Sequence, residues 1–244
     1  MTHHKGNSMR SFITMAMILA ASSTLAASDY TEIRDFAVDA SGATRFVIDA
    51  GAGSLEVTGV AGQDAIEVKA TIVIYDADET EGRKVIEKSM TLILERNGSV
   101  AKLEAGFKER FWGKGTNGSI KLEITAPATL ALDIDDGSGS IQVAGFVSDV
   151  TINDGSGSIS VNGTSALEID DGSGSINVTD AAGDVTITDG SGSIQVERVG
   201  GSVTVDDGSG SIRVNDVAGD LEIIDAGSGS VSISNVQGTV EQDR

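Results

Sequence analysis

The chain predicts an all-β fold, a parallel β-solenoid, on three observations. Gly137-Ser138-Gly139-Ser140-Ile141 recurs as Gly155 to Ile159, Gly172 to Ile176, Gly190 to Ile194, Gly208 to Ile212 and Gly227 to Val231, at spacings of 18, 17, 18, 18 and 19 residues. Six copies at a near-constant period mean stacked, equivalent coils. Between the copies apolar and polar residues alternate, as in Ile212-Arg213-Val214 and Leu221-Glu222-Ile223, which is the period of strands with one face in and one face out. Finally, aromatics make up only 4% of the residues while Gly accounts for 31 of 244, so aliphatic side chains rather than rings must fill the interior.

Each part of the coil has its own reason. The inward columns are Ile141, Ile159, Ile176, Ile194, Ile212, Val231 and Val150, Leu167, Val185, Val203, Leu221, Val240. Outward positions are Gln142, Ser160, Asn177, Gln195, Arg213 and Ser232, polar throughout. Gly-Ser-Gly supplies the left-handed corner that other residues resist. About 18 residues make two or three short strands, with successive coils about 4.8 Å apart. The same unit is legible at Gly53-Ser54-Leu55-Glu56-Val57 through Ala65-Ile66-Glu67-Val68, and from Gly118-Ser119-Ile120 to Leu132-Asp133-Ile134. Counting these gives about eight coils.

Composition divides the chain. Residues 27–134 hold 18 acids and 12 bases, whereas 135–244 hold 19 acids, only Arg198, Arg213 and Arg244 as bases, and 19 of the glycines. The expected organisation is a signal peptide over 1–26, an N-terminal part of the solenoid over 27–134 and the Asp-Gly-Ser-Gly-Ser-Ile solenoid over 135–244. The leader is read from Lys5 and Arg10 ahead of the apolar run Phe12 to Ala21 and the small residues through Ala27. That run is too short to span a bilayer of about 30 Å, so no membrane insertion is expected after cleavage. Residues 70–116 interrupt the pattern as a small inserted β/α segment: strand Ala70–Tyr75, a helix opened by Asp78-Glu79-Thr80-Glu81, strands Thr91–Glu95 and Val100–Glu104, then a loop.

Charge and residue inventory restrict function. A formal charge of −20 argues against nucleic acid and anionic membranes as partners. The chain has no cysteine, and its two histidines, His3 and His4, fall in the leader. Thiol chemistry, disulfides and histidine-based triads or zinc sites are therefore excluded from the mature protein.

The exported N-terminus, the run Gly118-Ser119-Ile120-Lys121-Leu122-Glu123-Ile124-Thr125-Ala126-Pro127 leading into Leu132-Asp133-Ile134, and the repeated Asp-Gly-Ser-Gly-Ser-Ile resemble a bacterial adhesin-like β-strand-repeat family of uncharacterised function. The resemblance covers essentially the whole mature chain. It implies a right-handed parallel β-helix, an envelope location and no established enzymatic activity, and it transfers no catalytic residue.

Three candidate features remain. Asp136, Asp154, Asp171, Asp189 and Asp207, with Asp225, precede the glycine corners and form a column. Like charges 4.8 Å apart repel by about 0.9 kcal/mol in water and about 3.5 kcal/mol at an effective dielectric of 20. Each carboxylate either accepts the backbone N–H two residues on, or the column binds cations weakly. A calcium-binding β-roll is not expected, because Ile141 stands where the liganding Asp of that pattern would be. Phe107, Lys108, Arg110, Phe111, Trp112 and Lys114 gather rings and bases in an otherwise acidic chain, as interface residues do, although Phe111 and Trp112 would equally close an end of the core. An enzyme would have to work with carboxylates, Lys, Arg, Tyr or Ser, and the natural form is a polysaccharide-acting β-helix enzyme. The coils offer only two arginines as cationic stabilisers and no aromatic platform, so paired carboxylates such as Asp170 and Asp171 are expected to serve turns. The resulting expectation is a periplasmic, secreted or surface-exposed, non-enzymatic structural or interaction module without cofactor, whose partner is an envelope or surface protein or a glycan.

Overall fold

The computed structural model describes residues 29–108 and 118–243. The strands in chain order are β1 (Tyr30–Asp39), β2 (Arg45–Ala52), β3 (Leu55–Val60) and β4 (Ala65–Ile74), followed by helix α1 (Glu79–Ser89). Then come β5 (Met90–Asn97), β6 (Val100–Phe107), β7 (Gly118–Pro127) and the long β8 (Ala131–Ala144). The regular coils contribute β9 (Val150–Asp154), β10 (Gly157–Thr164), β11 (Leu167–Asp171), β12 (Gly174–Ala181), β13 (Val185–Asp189) and β14 (Gly192–Val199). β15 (Val203–Asp207), β16 (Gly210–Val217), β17 (Leu221–Asp225), β18 (Val231–Val236) and β19 (Val240–Gln242) complete the chain.

From residue 131 to residue 236 the chain makes about six turns of a parallel β-solenoid with about 18 residues per coil. Each turn places one strand in each of two facing sheets. β8 bends through Gly137-Ser138-Gly139 and serves both. In sheet I the strands β8, β10, β12, β14, β16 and β18 stack in parallel, with Ile141↔Ile159↔Ile176↔Ile194↔Ile212↔Val231 directly in register. In sheet II β8, β9, β11, β13, β15, β17 and β19 stack likewise, through Leu132↔Val150↔Leu167↔Val185↔Val203↔Leu221↔Val240. These ladders face each other and are buried, apart from Val231 and Val240 in the last coil. Each fully buried Val, Leu or Ile contributes roughly 1.5–3 kcal/mol, and this is what holds a core so poor in rings together.

Both corners have a backbone reason. At the Asp-Gly-Ser-Gly corner, Gly139, Gly157, Gly174, Gly192 and Gly210 have φ between 139° and 157°. A Cβ on Gly157 would lie 1.5 Å from the carbonyl oxygen of Gly139, so the coils stack this closely only because the side chain is absent. The opposite corner uses an ordinary left-handed residue: Gly163, Asp180, Arg198, Asp216 and Asn235, with φ from 55° to 79°. There Arg198 donates two hydrogen bonds to the Asp180 carboxylate one coil away, at 2.7 and 3.0 Å.

The N-terminal part departs from the sequence expectation in two respects. The early units do stack on the coils in sheet I, β3 between β7 and β8, but the further layers of sheet II are β2, between β6 and β8, and β6 itself, which comes from the segment 70–116 expected as an insertion. Ala65–Val68, however, does not turn into the opposite sheet. It belongs to β4, which runs antiparallel between β7 and β1 in sheet I. Alternation is the same for either strand direction, so the pattern could not give the pairing. β5 forms an antiparallel hairpin with β6 at the edge of sheet II. Helix α1 begins as its sequence predicts, the Asp78 carboxylate accepting the Glu81 N–H at 2.9 Å. It packs on β1, where Tyr30 lies against Gly82 so closely that a Cβ there would meet the ring at 2.3 Å. Glu32, nearly buried, accepts from the Tyr30 hydroxyl and from Arg34 and completes this junction.

Candidate functional site

Sheet I changes character from one end to the other. Over β8 to β18 it is a parallel array that continues through β3 and β7, but at β4 and β1 it passes into antiparallel pairing. The register there lines up two outward rows. One runs Asp35, Lys69, Glu123, Glu56 and the other Ala37, Glu67, Thr125, Thr58. These residues enclose an open groove of about 590 Å³ on the outer face, a size within the range of small-ligand sites. The groove carries four carboxylates and one ammonium. Lys69 Nζ is already committed to Glu123 at 3.1 Å, and Lys121 reaches the other oxygen of the same carboxylate at 3.2 Å. Those two contacts hold the Glu123 carboxyl below its ordinary pKa. On the second row Gln63 donates to the Thr125 hydroxyl at 3.0 Å, fixing that side chain beside Glu67. Asp35 and Glu56 enter no ion pair among the described residues. The groove is therefore a negatively charged, partly apolar trough with hydroxyls along one side. Sequence reasoning missed it, because it arises from which strands abut rather than from any local motif.

The aspartate column is real and lies on an unexpected face. Val150, Ile152 and Asp154 alternate inward, and so do Leu167, Ile169, Asp171 and their counterparts. Asp136, Asp154, Asp171, Asp189 and Asp207 are consequently buried in the core layer, at 3%, 2%, 2%, 3% and 0% exposure. One oxygen of each serves the corner. The Oδ1 atoms of Asp154, Asp171, Asp189 and Asp207 accept the N–H of Ser156, Ser173, Ser191 and Ser209 at 3.0–3.2 Å. The Gly137 and Ser138 amides do the same for Asp136. All five Oδ2 atoms are buried and accept nothing. Desolvation, assisted by neighbouring carboxylates, raises all five pKa values, to about 7 for Asp136 and about 6 for Asp189. Among the described residues no three carboxylates converge on a point able to hold a metal ion. A cavity of about 10 Å³ touches Asp136, room for about one water.

Asp225 does not join the column. Its coil carries an extra residue, Ile224, which bulges outward between Val205 and Asp206 of the neighbouring strand and is 45% exposed. Asp225 thereby pairs with the outward Asp206 and accepts the Gly227 N–H at 2.8 Å. The 19-residue spacing was the signal for this shift.

Of the aromatic and basic cluster, Phe107 and Lys108 fall within the described residues. Phe107 is half-buried against the core, beside Gly118, and Lys108 is exposed while its N–H donates to the Ser89 carbonyl at 2.7 Å. Arg110, Phe111, Trp112 and Lys114 lie outside the described residues.

The fold and its ladders define a parallel β-solenoid protein. No family model matches the chain, and no curated protein matches it in sequence. Solved structures similar to it include candidate adhesins and a candidate lipid-binding protein. One from Bacteroides fragilis is 14% identical with a TM-score of 0.44, over 89% of this chain and 99% of that one. A candidate cell adhesion protein of Clostridium sporogenes is 12% identical with a TM-score of 0.36, over 87% and 100%. A candidate lipid-binding protein of Parabacteroides distasonis is 12% identical with a TM-score of 0.34, over 88% and 97%. Among the described residues no helix is long and apolar enough to cross a membrane.

Proposed function

We propose that the protein is an exported, non-enzymatic interaction module of the cell envelope, adhesin-like, and that it binds a basic segment of an envelope or surface protein in the groove across β1, β4, β7 and β3. The observation that carries this reading is the groove itself, with four carboxylates, of which Glu123 already takes up both Lys69 and Lys121 while Asp35 and Glu56 enter no ion pair among the described residues. A lysine- or arginine-bearing segment laid across it exchanges solvated charges for complementary ones and buries its stems on the Thr58, Thr125 and Ala37 carbons. Glycan is the less suitable occupant, since the one ring among the described lining residues, Phe36, is partly buried and packs against the core instead of standing in an outward row where a sugar could stack on it.

The test is titration of a short lysine-rich peptide against the whole exported chain, with Glu56→Gln/Glu67→Gln as the site variant and Asp170→Asn/Asp206→Asn as an equal-charge control on sheet II. Binding weakened about tenfold or more in the first and little changed in the second supports the reading. Equal loss in both reduces the interaction to net charge. Saturable binding of glycans without peptide binding reassigns the groove, and turnover of a polysaccharide replaces the reading with the enzymatic one.

A further inference from the structure

We propose that the five-carboxylate column inside the solenoid is a proton-binding element, which keeps the coils tightly stacked in mild acid and loosens them as the pH rises to neutrality. The geometry carries it. Asp136, Asp154, Asp171, Asp189 and Asp207 stand one above the next along the coil axis, each buried, each with Oδ1 engaged by a corner amide and Oδ2 buried without a donor. An ionised oxygen in that position has lost its water and gained nothing. Its neighbours above and below have the same charge.

Two species could relieve such a column, a cation or a proton, and the packing decides between them. One such carboxylate stands in each coil, about 4.8 Å from the next. A metal ion needs several oxygens converging on it, and among the described residues no three carboxylates do so, whereas a proton needs one oxygen alone. The surrounding charges reinforce the choice. The charged groups acting on the column are carboxylates: its own members, Asp135 beside Asp136, Asp170 beside Asp171, and Asp206 and Asp225 beside Asp207. Burial and these neighbours push the group pKa values up.

The sign of the linkage follows. In the unfolded chain an Asp titrates near 3.9, while in the folded column Asp189 holds its proton to about 6 and Asp136 to about 7, and burial raises Asp154, Asp171 and Asp207 in the same direction. Between those limits the native state binds more protons than the unfolded state, so stability falls as pH rises through the window. Surface repulsion in a chain of net charge −20 has the same sign, but salt screens it and leaves a buried column largely untouched.

The experiment has two arms on the full exported chain. Infrared spectroscopy of the folded wild type at pH 5.5 is expected to show the C=O stretch of protonated carboxyls, lost on titration to pH 8. Chemical denaturation from pH 4.5 to 8 in high salt is expected to show stability falling with a slope equal to uptake of two or more protons on folding. Asp154→Asn/Asp171→Asn/Asp189→Asn keeps the corner acceptor and should flatten that slope, while Glu168→Gln/Glu222→Gln/Glu241→Gln, exposed on the outer face of sheet II, should not. Absence of the protonated band in the wild type overturns the proposal whether or not the triple variant folds. So does a slope unchanged in the folded triple variant, or a large stabilisation specific to calcium and reversed by chelator.

Discussion

The coils from β9 to β16 and the end built from β1 to β7 use the same alternating strands to opposite effect. In the coils every strand meets an equivalent neighbour in parallel register, and the outer faces become straight ladders. At the other end β4 reverses direction between β1 and β7, the outward rows no longer repeat, and charged side chains of unlike length enclose a trough. Regular stacking makes a stiff frame whose chemistry is uniform, and an interruption of that stacking makes a local site. The bases are distributed accordingly, 12 of them in residues 27–134 and three in 135–244.

If the coils are the frame, a charge in their core should do the most damage. Ile176→Asp places an unpaired carboxylate in a position that is 1% exposed. It should cost at least ~4 kcal/mol and unfold neighbouring coils, read as a large drop in melting temperature with loss of the β-sheet circular dichroism signal. Next comes the corner. Gly157→Ala brings a methyl group onto the Gly139 carbonyl and should cost about 3 kcal/mol, whereas Gly42→Ala, at a left-handed turn with nothing within 4 Å, should cost only about 1 kcal/mol. Denaturant midpoints of the two variants measure the contrast between a packed corner and an open turn. A smaller effect sharpens the account of the sixth coil. There the Asp206↔Asp225 pair is the last of the ladder, and Ala226, next along the chain, is partly buried against the core. Ala226→Asp should extend the buried column and steepen the loss of stability between pH 5 and 8, with little change below pH 4.5. Smallest of all, Arg198→Ala removes an exposed pair with Asp180 and should leave the melting curve almost unmoved.

What was legible in the sequence follows from this division. Glycine corners and aliphatic columns are repeated six times, so each copy checks the others, and the solenoid, its period and its inward rows were readable in full. Helix α1 was readable from one local motif, the Asp78 cap. The reversal of β4 was not, because Ala65-Ile66-Glu67-Val68 alternates identically in either direction. The groove depends on that reversal and was hidden with it. The aspartates were visible as a column, and their burial was available too: Val150, Ile152 and Asp154 share the parity of the core face. Reading them as turn residues alone concealed it, since the turn uses one oxygen and leaves the second inside.

The claim that the coils are frame and the interrupted end is site is tested most directly by amide hydrogen exchange of the exported chain with and without a saturating lysine-rich peptide. The account predicts added protection confined to the strand segments 35–37, 56–58, 67–69 and 123–125, with β9 to β16 already strongly protected and unchanged. Added protection spread along the outer faces of β9 to β16, with none at those four segments, would contradict it.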